Sequence, residues 1–280
     1  MFLITTASKV GAETARLLAQ RSEPVRVLVR DQGKAPALAQ AGIEVVQGDL
    51  EDPATIDAAM RGVATVALVS PAIPRQELNV VNSAVRAGVE HVVKITSDSS
   101  ADSPIARRRG QAEIENGLIA SGLSYTLLKN NAYMQNFLMQ APMIAATNSF
   151  GSSTGDGRIG MIDTRDVAAL AAEIAASPAP HKGKTYWPTG PETLSYPDVA
   201  AALSKVLDRP ITFHSLTFDQ QRQAMIDAGL PEHVAEDNAQ ALSLFARGEA
   251  DYTTSDVQSI LARPARTFEQ FAADHADAFS

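Results

Sequence analysis

The chain has 280 residues, of which 45% are hydrophobic, enough apolar material for a sizeable core and inconsistent with general disorder. Its 32 acidic residues outnumber 24 basic ones, for a formal charge of −8, so a nucleic-acid partner is not expected. It contains no cysteine, which excludes disulfides, thiolate catalysis and thiolate metal sites.

The first 130 residues alternate short apolar runs with helical patterns. Phe2 to Thr5 reads as a strand, Glu13 to Gln20 as a helix, Val25 to Val29 as a second strand, and alanine-rich Ala35 to Ala41 as a second helix. Ile43 to Val46 is a third strand followed by the turn Gly48-Asp49. Asp52 then predicts the cap of a helix that opens on Pro53 and ends at Gly62. Thr65 to Val69 is the fourth strand, Glu77 to Ala87 a helix stopped by Gly88, and His91 to Thr96 the fifth strand. Gln111 to Ala120 is a helix stopped by Gly122, and Ser124 to Leu128 a sixth strand. Short connections between alternating elements imply parallel strands with helical crossovers, and nearly all-apolar strands imply a sheet covered on both faces. The expected fold is therefore α/β and doubly wound, with its ligand crevice at the carboxyl ends of the strands.

Beyond residue 130 the pattern changes. Asn130 to Ala146 is rich in Met, Phe and Asn, Gly151 to Gly160 is a glycine-rich loop, and Asp163 to Ala176 is a helix. Strands near Thr185 to Trp187 and Ile211 to Phe213 flank a helix from Tyr196 to Leu207, and the rest is mainly helical. The expected organisation is a nucleotide-binding domain over 1–150 and a smaller, mainly helical substrate lobe over 151–280, interleaved across a soft boundary. No run approaches the roughly 20 apolar residues of a membrane span. Met1 to Thr6 lacks the basic start of a signal peptide, so a cytoplasmic protein without a membrane partner is expected.

In a doubly wound fold the first strand-to-helix turn meets the diphosphate of a dinucleotide. Here it reads Thr5-Thr6-Ala7-Ser8-Lys9-Val10-Gly11. The Gly-x-x-Gly-x-x-Gly spacing survives as Thr5-x-x-Ser8-x-x-Gly11, with only Gly11 left for close helix–strand packing. The hydroxyls of Thr5 or Thr6 and Ser8, and the Lys9 ammonium, could contact phosphate; an ordinary turn without a cofactor is the alternative. Arg30 ends the second strand, with Lys34 one turn on, where an Arg suits the 2′-phosphate of NADP and an acid would suit NAD. Asp49 and Ser70 also fall at strand ends, placed for an adenine and a nicotinamide respectively.

Tyr125-Thr126-Leu127-Leu128-Lys129 matches the Tyr-x-x-x-Lys dyad of short-chain dehydrogenases. That dyad needs a helix, where residues four apart are neighbours; this run reads as a strand, which would separate the two residues by about 13 Å. The remaining candidates are Lys94, which snorkels to solvent or serves the crevice, Thr96, Ser97, Asn130, Tyr133 and Asn136. The five scattered histidines show no metal-ligand spacing, and no Gly-x-Ser-x-Gly elbow is present.

Taken together, the phosphate turn, Val27-Leu28-Val29-Arg30-Asp31, Gly48-Asp49-Leu50, Tyr125 to Asn130, Gly155 to Ile159, Asp163 to Ala168 and Ala228-Gly229-Leu230-Pro231 resemble the NmrA-like atypical short-chain dehydrogenases over nearly the whole chain. The resemblance implies a Rossmann domain, a smaller C-terminal lobe and a substrate cleft between them. It implies cofactor contacts at Thr6, Ser8, Lys9, Val10, Arg30, Lys34, Asp49, Ser70 and Ser97, with Asn130, Tyr133 and the glycine-rich loop on the substrate side. Two activities are expected from it: an NADPH-dependent reductase of a small, electron-poor aromatic acceptor (a quinone, azo compound or cationic dye), or an NADP-sensing regulator without catalysis. Either would be a monomer or homodimer without a metal.

Overall fold

The computed structural model describes all 280 residues. Its elements are, in chain order, β1 (Phe2–Ile4), α1 (Lys9–Gln20), β2 (Val25–Val29), α2 (Pro36–Gln40), β3 (Glu44–Gln47), α3 (Pro53–Ala59), β4 (Thr65–Leu68), α4 (Pro74–Ala87), β5 (His91–Ser97), α5 (Ala106–Ala120), β6 (Tyr125–Asn130) and α6 (Ala141–Thr147). There follow β7 (Ser149–Ser152), α7 (Thr164–Ala176), β8 (Lys184–Tyr186), α8 (Tyr196–Leu207), β9 (Thr212–Ser215), α9 (Phe218–Asp227), α10 (Glu232–Ala246), α11 (Asp256–Leu261), α12 (Phe268–Asp274) and α13 (Ala276–Phe279).

Seven strands form one sheet in the order β3-β2-β1-β4-β5-β6-β8, every pair parallel. Strand order reverses between β1 and β4, and this is where a doubly wound sheet opens a crevice beyond its carboxyl ends. The sheet is apolar on both faces because helices cover both. On one, Leu3, Leu28, Val66, Leu68 and Val92 pack with Ile56, Val80, Val81 and Leu118. On the other, Ile4, Val27, Val29 and Ala67 pack with Ala15, Leu18 and Ala172. Helices α1 and α7 lie close enough that the Thr14 hydroxyl, bonded to Val10 O at 2.8 Å, also reaches Ala168 O at 3.5 Å; the alanines of α7 leave room for that approach.

Helix starts follow local chemistry. Asp52 caps α3 by accepting from the Ala54 N–H at 3.0 Å, with Pro53 in the first turn. Gly88 ends α4 at a φ of 68°, a conformation that glycine adopts without penalty. Several helices begin a turn earlier than the hydrophobic pattern predicts: α1 at Lys9, α4 at Pro74 and α5 at Ala106. The first turn of α5 is mostly exposed and that of α4 only partly buried, so neither carries an apolar stripe, and the α1 start buries just Val10 and Gly11.

The chain divides into two compact units, one of Met1–Ser103, Arg107–Asn130 and Thr164–Trp187, the other of Pro104–Ala106, Asn131–Asp163 and Pro188–Ser280. The sheet unit thus reclaims α7 and β8 from beyond residue 150, because β8 pairs with β6 through Thr126, Leu127 and Leu128. The second unit has its own aromatic core of Phe137, Phe150, Tyr196, Phe268 and Phe271, in which Phe137 meets Phe268 edge-on at 5.2 Å. Its strands β7 and β9 form a separate parallel pair. Three of its helices, α8, α9 and α12, start on reciprocal capping boxes, Ser195 with Asp198, Thr217 with Gln220 and Thr267 with Gln270.

Candidate functional site

The ends of β1 and β4 are laced together by hydroxyls. Thr5 Oγ1 donates to Val69 O at 2.8 Å and accepts from the Val69 N–H at 2.9 Å, and Thr6 Oγ1 donates to the same carbonyl at 3.0 Å. Each hydroxyl has one proton, and in this arrangement both are given to Val69. The two threonines thereby tie the ends of β1 and β4 together. Ser8 is the N-cap of α1, its oxygen accepting from the Gly11 N–H at 3.2 Å. This leaves the backbone N–H groups of Lys9 and Val10, in the first turn, without a helical acceptor. The Val10 side chain is buried, so only its backbone could meet an anion. Lys9 is exposed and has no ion-pair partner. Gly11 is needed where it stands, because a Cβ there would collide with the Thr6 carbonyl oxygen.

On the other side of β1, Arg30 follows the end of β2. Its exposed guanidinium makes no hydrogen bond or ion pair, and it lines a cleft with Gln47, Gly48, Asp49 and Thr55. The cleft wall is built by small fixed contacts. Gln47 Nε2 donates to Arg30 O at 3.2 Å, the Asp49 N–H donates to Thr55 Oγ1 at 3.0 Å, and Asp49 Oδ1 accepts from the Glu51 N–H at 2.9 Å. Lys34 stands apart from this wall, 3.9 Å from Asp31 in an exposed pair. An unpaired Arg beside a turn of free N–H groups suits a phosphorylated nucleotide. The donor set present therefore fits a dinucleotide with a 2′-phosphate.

Ser70 lies just past β4 on the far side of β1, and its hydroxyl donates to Glu77 Oε1 at 2.6 Å. The same carboxylate holds Lys94 through Oε2 at 2.5 Å, both side chains fully buried. The expectation that Lys94 snorkels to solvent is thus corrected, since its ammonium is satisfied inside by Glu77 and by Ile95 O at 2.9 Å. Glu77 was missed in the sequence. Its signal is spacing, for Glu77, Val80, Val81 and Ala84 share the buried face of α4.

Ser97 and Asn130 face each other in register at the ends of β5 and β6. Asn130 Nδ2 donates to Thr96 O and Leu128 O at 3.0 and 3.1 Å, and its buried Oδ1 has no partner, an uncommon state for a buried carbonyl. Next to it runs a second network. Glu115 accepts from Thr96 Oγ1 at 2.9 Å and Ser99 Oγ at 2.8 Å and pairs with Lys129 at 2.8 Å. Lys129 also lies 5.2 Å over the Trp187 ring. Tyr125 and Lys129 sit at opposite ends of β6, which rules out the helical dyad.

In the second unit, Tyr133 forms a backbone bridge with Ile162 and is half-buried, and Asn136 is exposed. The glycine-rich loop has a packing explanation, since a Cβ at Gly157 or Gly160 would collide with the carbonyls of Phe245 or Tyr252. No group of His, Asp and Glu could hold a metal ion, and no helix is long and apolar enough to cross a membrane.

The chain is similar to several known reductases in sequence and in structure. The chain is 37% identical over 277 residues to the NAD(P)H azoreductase of Xenophilus azovorans, covering 96% of each protein. It is 37% identical over 287 residues to the (4-alkanoyl-5-oxo-2,5-dihydrofuran-3-yl)methyl phosphate reductase of Streptomyces griseus, covering 100% of this chain and 99% of that protein. The crystal structure of the NADPH-dependent quinone oxidoreductase of Escherichia coli complexed with NADPH superposes with a TM-score of 0.89 at 29% identity, over 99% of this chain and 100% of that one. The NmrA-like family model matches residues 2–272, and the chain belongs to the NmrA-like family.

Proposed function

We propose that this protein is an NADPH-dependent reductase of small, electron-poor conjugated acceptors, of the quinone, azo-compound or cationic-dye class. The observation that carries the reading is Arg30, an unpaired guanidinium on a cleft wall beside the β1–α1 turn of a sheet whose order reverses at β1 and β4. Arg30 would hold the 2′-phosphate. The N–H groups of Lys9 and Val10, with the Lys9 ammonium, would hold the diphosphate, and Ser8 would cap rather than contact it. Asp49 would sit against the adenosine, and Ser70 and Ser97 against the nicotinamide half; Lys34 would contribute charge only at longer range. When bound, NADPH supplies a hydride to the acceptor.

The chain's own part in that transfer is mainly proximity and orientation. Asn130, with a buried carbonyl oxygen seeking a donor, is suited to hold a polar edge of a ligand. Tyr133 is proposed as the source of the proton for acceptors that need one. The named relatives reduce different compounds, so the acceptor is set by shape and electron demand and not by a dedicated acid–base dyad. The acidic balance disfavours nucleic acid as a partner; a cytoplasmic monomer or homodimer is part of the same proposal.

The test is to mix purified protein with NADPH and a panel of quinones, azo dyes, triphenylmethane dyes and α,β-unsaturated lactones, and to follow loss of reduced-nicotinamide absorbance. Turnover well above the protein-free control is expected. Calorimetric binding of NADPH with no turnover across the panel would instead favour an NADP-sensing binding protein.

A further inference from the structure

Strands β4 and β5 are neighbours in the sheet, and a buried chain of three polar groups connects them to the crevice. Lys94, midway along β5, pairs with Glu77 Oε2 of α4 at 2.5 Å, with no solvent reaching either side chain. The other carboxylate oxygen, Oε1, accepts from Ser70 Oγ at 2.6 Å. A carboxylate held by an ammonium has no proton to give, so this bond runs one way only: Ser70 donates. An ordinary serine hydroxyl can donate or accept. This one has spent its single proton on Glu77 and presents only lone pairs to whatever approaches it. A fully buried ion pair adds little stability over apolar residues of the same size, so fixing the polarity of Ser70 is the consequence with a chemical use.

Its position says which part of a ligand would meet it. The Arg30 cleft lies on the β2–β3 side of β1, and Ser70 follows β4, on the opposite side. A dinucleotide crossing the α1 N-terminus puts its two nucleosides on opposite sides of β1. We propose that Lys94 and Glu77 are positioning residues that make Ser70 an obligate acceptor, which takes a hydrogen bond from a donor on the nicotinamide nucleoside, the carboxamide N–H or a ribose O–H. This rests on the dinucleotide reading above.

Calorimetric titration with three ligands separates the possibilities: 2′,5′-ADP, which carries only the adenosine half; NADP⁺; and deamido-NADP⁺, in which a carboxylate replaces the carboxamide. Ser70→Ala is expected to weaken NADP⁺ by about three- to tenfold, the range of one neutral hydrogen bond, and to leave 2′,5′-ADP within about twofold. If the Ser70→Ala effect vanishes with deamido-NADP⁺, the donor is the carboxamide; if it persists, the donor is the ribose hydroxyl. In the charge-neutral double variant Glu77→Gln/Lys94→Met, with folding checked by circular dichroism, NADP⁺ is expected to weaken selectively and a further Ser70→Ala to cost less than in wild type. A purely structural role of the pair would weaken both ligands alike. Equal weakening of 2′,5′-ADP and NADP⁺ by Ser70→Ala overturns the inference, as does no effect on either. So does a folded double variant with wild-type NADP⁺ affinity and the full Ser70→Ala effect. Failure of wild type to bind 2′,5′-ADP at all would instead sink the dinucleotide reading itself.

Discussion

The α-carbon of Gly11 faces the main-chain oxygen of Thr6 so closely that no side chain fits between them. Of the three glycine positions a dinucleotide turn commonly uses, this is the one the chain keeps, and the contact explains why. The other two positions govern approach to the phosphate, where a threonine and a serine are tolerated; the third governs how tightly α1 can dock on β1. Gly11→Ala should push the first turn of α1 off the strand. The expected result is a loss of about 1–3 kcal/mol, typical of overpacking, read from the urea midpoint, together with weaker NADPH binding by calorimetry. A variant with wild-type midpoint and affinity would show that the turn is slack.

Arg30 makes a sharper statement about cofactor choice. A charge-assisted hydrogen bond contributes about 1.5–3 kcal/mol, so Arg30→Ala should weaken NADPH by about tenfold to a hundredfold. NADH, lacking the 2′-phosphate, should change by no more than about twofold. Because the side chain is exposed and makes no internal contact, the thermal midpoint should hold. Equal losses for the two nucleotides would remove the 2′-phosphate from the Arg30 cleft.

Much of this was legible in the sequence, for reasons that differ by residue. Strands β2, β4 and β5 are short apolar runs because both faces are covered, and Asp52-Pro53 and Gly88 are local start and stop chemistry that needs no tertiary knowledge. Arg30 could be placed because strand ends in a doubly wound sheet have fixed neighbours. The interior partners were not legible. Lys94 looks like a charge in need of solvent until α4 lays Glu77 beside it, and the hydroxyl of Thr6 looks free until β4 brings up the Val69 carbonyl. Pairing of β7 with β9 joins segments about sixty residues apart through an aromatic core, and no local pattern announces such a contact.

Tyr125 and Lys129 test the claim that catalysis here runs without the familiar dyad. Lys129 is committed to Glu115 and Ser99 and lies over Trp187, while Tyr125 begins β6 at the amino end of the sheet, away from the strand ends that form the crevice. Tyr125→Phe should therefore leave kcat with a quinone or azo acceptor within about twofold of wild type. A fall of a hundredfold or more would mean that the phenol takes part after all.

His91 gives a pH signature that is independent of any ligand. It begins β5 with no exposed surface, its ring nitrogens 2.9 Å from Ser124 Oγ and 3.0 Å from Thr126 Oγ1. Burial, reinforced by the nearby Lys182 and His181 charges, pushes its pKa down from 6.5 to about 4. A histidine held neutral in the fold but free to protonate when unfolded favours the unfolded chain as pH falls. The penalty starts near the unfolded value of 6.5, grows towards 4, and levels off below that. Between pH 7 and pH 5 it should reach about 2 kcal/mol. Urea unfolding of wild type across that range, set against His91→Asn, should show the steeper decline in wild type. The comparison is made as a slope because the substitution also changes the hydrogen bonds to Ser124 and Thr126, which shifts stability by the same amount at every pH. Parallel pH profiles for the two proteins would mean that the ring already takes up its proton in the folded chain.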